Sequence, residues 1–169
     1  MPRNVEIKAR IPSVASLLPT VAALADSGPT ELDQDDTFFH CVNGRLKLRA
    51  FSVSAGELIF YQRPDTSGPK ESFYLLAATS APDQLREVLS AACGQTGRVR
   101  KYRQLFLIGR TRIHLDRVAE LGDFLELEVV LNDGEPPAAG VKTAYELLTK
   151  LGIGETQLIE GAYVDLHHR

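Results

Sequence analysis

The sequence predicts an α+β fold, in which an antiparallel β-sheet is flanked by helices. Polar and apolar residues alternate along most of the chain, a pattern typical of strands whose successive side chains point to opposite faces. Three other segments carry apolar residues at helical spacing. Charged residues recur at every second position on at least five predicted strands, so one face of the sheet is charged. That face either contacts solvent in an open sandwich or lines the inside of a closed barrel.

The composition predicts a single cytoplasmic domain over residues 1–169, because 44% of the residues are hydrophobic and can form one buried core. The formal net charge of −3 gives no general attraction to nucleic acid or to a membrane, so any basic site must be local. The cysteines, Cys41 and Cys93, lack the spacing of a metal site or a disulfide framework, which indicates free thiols in a reducing compartment. We recognise neither a bilayer-spanning apolar run nor a signal peptide.

In the first half of the chain, alternation predicts a strand over Asn4–Ile11, which Pro12 ends. Ser13 has the chemistry of an N-cap for a helix that reaches Leu24. Asn43-Gly44 is typical of a tight hairpin turn. The other predicted elements are a turn at Gly28-Pro29, a loop over Pro64–Pro69, and strands over Thr30–Val42, Arg45–Arg49, Glu57–Arg63 and Ser72–Leu76.

In the second half, a helix is predicted to begin at Pro82-Asp83 and to end at Gly94. Leu121-Gly122 provides a turn between two strands, as expected for an antiparallel pair. The tail after Gly152 is expected to dock onto the domain. The remaining elements are strands over Val99–Ile108, Arg110–Asp116 and Phe124–Val130, a loop over Asn132–Gly140, and a helix over Ala144–Leu151.

The charged positions define a candidate site. Burying so many charges costs several kcal/mol per unpaired ion, so structure alone does not favour a charged barrel interior. A highly charged ligand resolves this conflict, because arginine and lysine bind phosphoryl oxygens. Carboxylates beside those cations imply a bridging divalent cation, and all-oxygen ligands favour Mg²⁺ or Mn²⁺. The sets that share a face are Glu6 with Lys8, Arg45 with Lys47 and Arg49, Lys101 with Arg103, Arg110 with Arg112, His114 and Asp116, and Glu126 with Glu128.

Several motifs, in order along the chain, resemble those of the CYTH superfamily, which contains class IV adenylyl cyclases, thiamine triphosphatases and inorganic triphosphatases. Val5–Lys8 resembles the second half of its N-terminal Glu-x-Glu-x-Lys motif. Arg45–Arg49 resembles its basic strand, and Lys101-x-Arg103 resembles its later basic pair. Ile113–Asp116, Leu121-Gly122 and Phe124–Glu128 resemble its C-terminal block, so the resemblance extends from Val5 to about Leu166.

The resemblance implies an eight-stranded antiparallel barrel, the triphosphate tunnel fold, with flanking helices. It implies that Glu6, Glu126 and Glu128 bind the metal, with Asp116 close to the metal or to its bound water. The residues that it implies for triphosphate binding are Lys8, Lys47, Arg49, Lys101, Arg103 and Arg112. Arg45 and Arg110, on the same predicted faces, are added to this set. For catalysis we name Lys8, Asp116, Glu126 and Glu128.

Two positions depart from the family pattern. Asn4 stands where the first glutamate of the motif is expected, which removes one possible metal ligand or water-positioning base. Gln62-Arg63-Pro64 stands where the family has Lys-Gly-Pro, so Arg63 and Lys70 are expected to supply that cation from shifted positions.

The leading functional prediction is a metal-dependent hydrolase whose partner is a triphosphate-bearing small molecule: thiamine triphosphate, inorganic tripolyphosphate or a nucleoside triphosphate. One alternative is a class IV adenylyl cyclase that converts ATP to cyclic AMP and pyrophosphate. Another is a non-catalytic protein that binds polyphosphate or organophosphates, and Asn4 is the residue that favours it. The sequence identifies neither an adenine pocket nor a thiamine pocket.

Overall fold

The computed structural model describes residues 2–167 and contains an eight-stranded antiparallel barrel with flanking helices. Its order is β1-β5-β4-β3-β2-β6-β7-β8, and pairing of β8 with β1 closes the ring. The closed barrel is therefore confirmed. The strands are β1 Arg3–Arg10, β2 Ser27–Phe39, β3 Arg45–Ser52, β4 Ala55–Gln62, β5 Lys70–Thr79, β6 Gln95–Ile108, β7 Thr111–Val118 and β8 Gly122–Val130. The helices are α1 Val14–Leu24, α2 Pro82–Cys93, α3 Pro137–Leu151, a 3-10 turn Glu155–Gln157 and α4 Tyr163–Leu166.

Two helices cover one side of the barrel. Apolar residues of α1 and α3 pack against the outer faces of β1, β7 and β8, so these strands are buried on both faces. The approach of α3 is close: a Cβ at Gly140 would lie 2.7 Å from Val5 Cγ2. A side chain there would push the helix off the sheet. Helix α2 packs instead on β2, β3 and β4. No helix among residues 2–167 has both the length and the apolar character needed to cross a bilayer.

The C-terminal segment closes one end of the barrel. Tyr163 and Val164 of α4 join a buried apolar cluster with residues such as Phe38, Val99 and Phe124 from the surrounding strands. The tail therefore docks as expected. We call this the closed end, and we call the opposite end the mouth.

Several element boundaries differ from the sequence prediction, and three of these differences change the description of a segment. Gly28-Pro29 is not a turn but part of β2, where the pairing with β6 shifts register between Ser27 and Thr30. The loop predicted over Asn132–Gly140 is shorter, because α3 begins at Pro137 and proline is well suited to a first helical position. Strand β7 begins at Thr111, which leaves Arg110 in the preceding turn.

Candidate active site

The inner faces of the eight strands enclose a charged cavity of about 350 Å³. Because paired residues on neighbouring strands point to the same face, the predicted charged faces converge on this cavity. Seven lysine or arginine side chains and five carboxylates line it. The cations are Lys8, Lys47, Arg49, Arg63, Lys101, Arg103 and Arg112, and the acids are Glu6, Asp36, Glu57, Glu126 and Glu128.

The acids on β1 and β8, with a histidine on β7, form what we call the acid side. Ligand atoms of His114, Glu126 and Glu128 all lie within 4.8 Å of one another. His114 Nδ1 is 3.2 Å from Glu126 Oε1. Although burial by itself raises the pKa of Glu126, Lys8 and then His114 and Arg103 hold it well below its usual value. Glu126 is therefore ionised and available to a cation.

Two cations neutralise the other carboxylates of the acid side. Arg112 donates from Nε to Glu128 Oε2 at 2.8 Å. Arg63 donates to Glu6, and this ion pair is buried. Burial raises the pKa of Glu6, and the nearby glutamates add to that effect while Arg63 opposes it. A divalent cation at this position would compete with Arg63 for the Glu6 carboxylate.

Across the ring, β2, β3 and β6 form the cation side, which is organised around one buried aspartate. Asp36 accepts two hydrogen bonds from Arg49, at 2.9 and 2.8 Å, and one from Lys101 at 2.9 Å. Lys47 Nζ lies 3.5 Å away. Burial raises the pKa of Asp36, but the three cations hold it well below its usual value. Burial, reinforced by Arg49, lowers the pKa of Lys47 to about 8.

A third group of charges links the cavity to the closed end. Arg103 donates to both oxygens of Asp116, at 2.7 and 2.8 Å, and the hydroxyl of Tyr163 donates to Asp116 Oδ2 at 2.7 Å. Burial opposes ionisation of Asp116, yet Arg103 lowers its pKa to about 2. Lys8 Nζ lies 3.9 Å from the centroid of the Tyr163 ring, a cation–π contact, and 3.4 Å from Glu126.

The structure brings most of the predicted site residues together around the cavity. Among the predicted acids, Glu6, Glu126 and Glu128 line it, whereas Asp116 lies behind Arg103 and is 0% exposed. Among the predicted cations, those that line it are Lys8, Lys47, Arg49, Arg63, Lys101, Arg103 and Arg112. Lys70, which was also predicted to bind substrate, does not line the cavity; it is buried beside Glu6 and donates to the carbonyl of Thr66.

Two predicted cations have other partners. Arg110 does not share the inner face of β7: it follows the turn glycine Gly109 and pairs with Glu135 outside the cavity. Arg45 is on the predicted face of β3, but its guanidinium turns to the tail and donates to both oxygens of Asp165, at 3.0 and 2.7 Å. The prediction that Arg110 shares the charged interior is therefore wrong. Arg45 does not line the cavity either, and it binds the C-terminal tail at the closed end through Asp165.

Asp36, Glu57 and Tyr163 line the cavity but were not predicted as site residues from the sequence. Asp36 shares the inner face of β2 with Gln34 and Phe38, and this spacing of two residues is the signal that could have identified it. However, β2 carries acids on both faces, so the inward one was not identified. Nothing local marks Tyr163, because its partners Lys8 and Asp116 are far away in sequence.

The donor set of the acid side fits a divalent metal ion. Clustered carboxylate oxygens suit Mg²⁺ or Mn²⁺, and the His114 nitrogen is an addition to the all-oxygen set expected from the sequence. Glu126, Glu128 and His114 are thus positioned to hold a metal, with Glu6 next to them on β1.

A family model for the CYTH domain matches residues 2–163, so the chain belongs to the CYTH family. Its fold is similar to that of PH1012 from Pyrococcus horikoshii OT3, with 22% identity, a TM-score of 0.86, and coverage of 96% of this chain and 98% of that one. It is also similar to a conserved hypothetical protein from Pyrococcus furiosus, with 20% identity, a TM-score of 0.86 and coverage of 96% and 99%.

A more distant structural relative is HpAC1 from Hippeastrum, described as having a dominant triphosphatase activity. Its identity is 14% and its TM-score 0.64, with coverage of 99% of this chain and 94% of that one. At these identities the structures support the fold alone. No curated protein matches the sequence.

Proposed function

We propose that the protein is a metal-dependent triphosphatase that binds the phosphate chain of its substrate inside the barrel. The proposal depends on one observation, which is that a cluster of cations and a cluster of acids face each other across the same cavity. An anionic chain with a bound divalent cation neutralises both sides at once. Membership in the CYTH family supports an enzyme that acts on triphosphates in general.

The cation side would bind the phosphate oxygens. Arg49 and Arg103 offer fixed guanidinium donors, and Lys47 and Lys101 offer ammonium groups, so the developing charge is stabilised without reorganisation. Lys8 and Arg112 lie beside the acid side and are placed to contact the phosphate next to the metal. Lys8, named above as catalytic, therefore remains a proposed catalytic residue. Arg63 would turn from Glu6 to phosphate when Glu6 takes part in metal binding.

The acid side would hold Mg²⁺ or Mn²⁺ through Glu126, Glu128 and His114, with Glu6 as a further ligand. When bound, the ion would polarise phosphoryl oxygens and lower the pKa of a water ligand. Hydrolysis forms a bond from water oxygen to phosphorus and breaks the bridging phosphorus–oxygen bond, in line. A glutamate of this group would accept the water proton. Asp116, whose oxygens both bind Arg103, would act by positioning that arginine.

A charge-removing substitution tests this function. Glu126→Gln and Glu128→Gln keep the side-chain size, and each should lower turnover of a triphosphate by roughly 10²–10³-fold. Tripolyphosphate binding without metal should persist or tighten, since a carboxylate facing phosphate becomes neutral. Glu71→Gln is the control, because Glu71 pairs with Arg3 outside the cavity. Wild-type rates and metal dependence in both variants would refute the assignment.

The same assay separates the alternatives by their products. ATP, thiamine triphosphate and tripolyphosphate are incubated with Mg²⁺ or Mn²⁺, and phosphate, pyrophosphate and cyclic AMP are quantified. Cyclic AMP would identify an adenylyl cyclase, in which the ribose hydroxyl attacks the α-phosphate in the same cavity. Binding without any product would support a non-catalytic binder, the alternative that Asn4 favours.

A further inference from the structure

Apolar side chains from four strands surround the mouth of the cavity. Leu32 of β2, Phe51 of β3, Leu76 of β5 and Leu105 of β6 all line the cavity, and we call them the mouth collar. None of them belongs to the two buried apolar clusters of the fold. Leu76 is 56% exposed, so the collar meets solvent. Leu32, Phe51 and Leu105 are half-buried, and Glu57 of β4 lies between Phe51 and Leu76 in the ring of strands. A partly exposed apolar patch beside a charged cavity suits a ligand that has apolar surface of its own.

The mouth collar lies directly beyond the cation side. On β3, Phe51 is two residues beyond Arg49, and on β6, Leu105 is two residues beyond Arg103, both in the direction away from the closed end. A two-residue step along a strand is about 7 Å. A group bonded to the end of a phosphate chain held by these arginines therefore reaches the collar.

Two buried amides line the cavity beside its charged groups, and Gln34 on β2 is paired in register with Lys101 on β6. Asn4 is 3% exposed and Gln34 is 5% exposed, and neither Asn4 Oδ1 nor Gln34 Oε1 has a hydrogen-bond partner among residues 2–167. Gln34 lies between Leu32 and Asp36 on the inner face of β2, and Asn4 lies two residues before Glu6 on β1. These strands are on opposite sides of the ring, so the two amides line the cavity from opposite sides.

An ionised phosphate chain offers only hydrogen-bond acceptors, so it satisfies arginine and lysine but not an amide oxygen. It also has no apolar surface to cover the collar. Unpaired buried acceptors and exposed apolar side chains both cost free energy until a ligand covers them. A suitable ligand would carry, at the end of its phosphate chain, a group that has both hydrogen-bond donors and apolar surface. Its phosphates would bind the cation side, its donors would bind the two amides, and its apolar surface would cover the mouth collar.

We propose that the mouth collar, with Asn4 and Gln34, forms a specificity subsite for the organic group of a triphosphate ester, and that such an ester is preferred over inorganic triphosphate. The organic group has an apolar face against the collar and N–H or O–H donors for the amides. The inference rests on the proposed function insofar as the triphosphate occupies the lumen. The ester enters phosphate first.

The test compares adenosine triphosphate and thiamine triphosphate with inorganic tripolyphosphate, by calorimetry in EDTA and by turnover with Mg²⁺ or Mn²⁺. We expect the better ester to bind at least about tenfold more tightly than tripolyphosphate. Leu76→Ser should weaken ester binding by about three- to tenfold and leave tripolyphosphate binding within about twofold. Gln34→Leu should likewise weaken only the ester.

Leu75→Ser is the matched control, because Leu75 is the neighbouring residue of β5, is 48% exposed and does not line the cavity. It should change neither ligand. The inference is overturned if tripolyphosphate binds as tightly as both esters, or if Leu76→Ser affects both ligand types alike or neither. Selective ester binding without turnover of any triphosphate would support the subsite and refute the proposed hydrolysis.

Discussion

At the scale of single residues, Asp36 is the shared counter-ion of three buried cations of the cavity. It is 1% exposed and compensates the charges of Lys47, Arg49 and Lys101 at once. In Coulombic terms it occupies the place that a phosphate group would take. The aspartate therefore stabilises the fold and competes with the proposed substrate, and these two roles can be separated by experiment.

Asp36→Asn removes the charge and keeps the shape. Three buried cations lose their counter-ion, so we expect the free energy of unfolding to fall by about 3–5 kcal/mol without ligand. Tripolyphosphate should restore much of this loss and bind more tightly than to wild type. Urea unfolding with and without tripolyphosphate measures both effects. Asp35→Asn is the control, because Asp35 pairs with Arg98 on the outer surface and should cost less than about 1 kcal/mol.

Lys47 should contribute to a pH dependence of the proposed phosphate binding, together with Lys101, whose pKa burial also lowers. Burial, together with Arg49, lowers the pKa of Lys47 from 10.5 to about 8, so the ammonium is charged below this pH and neutral above it. Metal-free tripolyphosphate binding should weaken as the pH rises through about 8, since a cation of the site is lost. Lys47→Arg stays charged and should weaken this dependence. Calorimetry at several pH values measures the affinity for tripolyphosphate. If the affinity of Lys47→Arg depended on pH as that of the wild type does, the role of Lys47 in this dependence would be contradicted.

At the scale of elements, α4 completes the cavity from outside the barrel. Its Tyr163 bonds Asp116 and lies beneath Lys8, and its Asp165 binds Arg45. The short helix is thereby tied to β1, β3 and β7, and through Asp116 to Arg103. Displacement of α4 would loosen two cations that face Glu126.

Arg45→Gln should loosen this helix without unfolding the barrel. The pair with Asp165 is lost, so amide hydrogen exchange over residues 162–166 should accelerate while exchange in the strands stays unchanged. If Arg45 were instead a substrate ligand, KM would rise with no change in exchange. Arg110→Gln serves as the control, because its partner Glu135 is not part of the tail.

Sequence patterns predicted the strands well, because residues that share one face of a strand recur at every second position. They gave Glu126 and Glu128 one face, and the structure places both in the cavity. The same reasoning missed Asp36, because a strand with acids on both faces does not reveal which one points inward. Arg110 was misplaced because β7 begins one residue later, at Thr111. The partner of Arg45 could not be predicted, because Asp165 is 120 residues away in the sequence.

At the scale of the whole molecule, the ring encloses cations in a chain with a net charge of −3. Seven cations and five carboxylates line one cavity, and the small positive excess is reduced further by Asp116 behind Arg103. A ligand that binds only the folded state stabilises it, and an anionic ligand would also offset this excess.

Triphosphate should therefore stabilise the fold. At a concentration of ~100 times its dissociation constant, tripolyphosphate should raise the free energy of unfolding by about 2.7 kcal/mol. Urea unfolding with increasing tripolyphosphate, with and without Mg²⁺, measures this gain. An equal concentration of sulfate controls for general ion effects. A denaturation midpoint that does not move with millimolar tripolyphosphate would argue against a phosphate site in the barrel.

Closure of one end by α4 has a kinetic consequence. The apolar cluster around Tyr163 seals that end of the cavity, so exchange with solvent takes place at the mouth. A molecule that enters phosphate first must leave in the reverse order of entry. After the proposed cleavage, the fragment nearer the mouth would depart first, and the fragment beneath it would be held until then. The two products should therefore inhibit differently. The inner fragment should compete with new substrate, whereas the outer fragment should slow the release of the inner one.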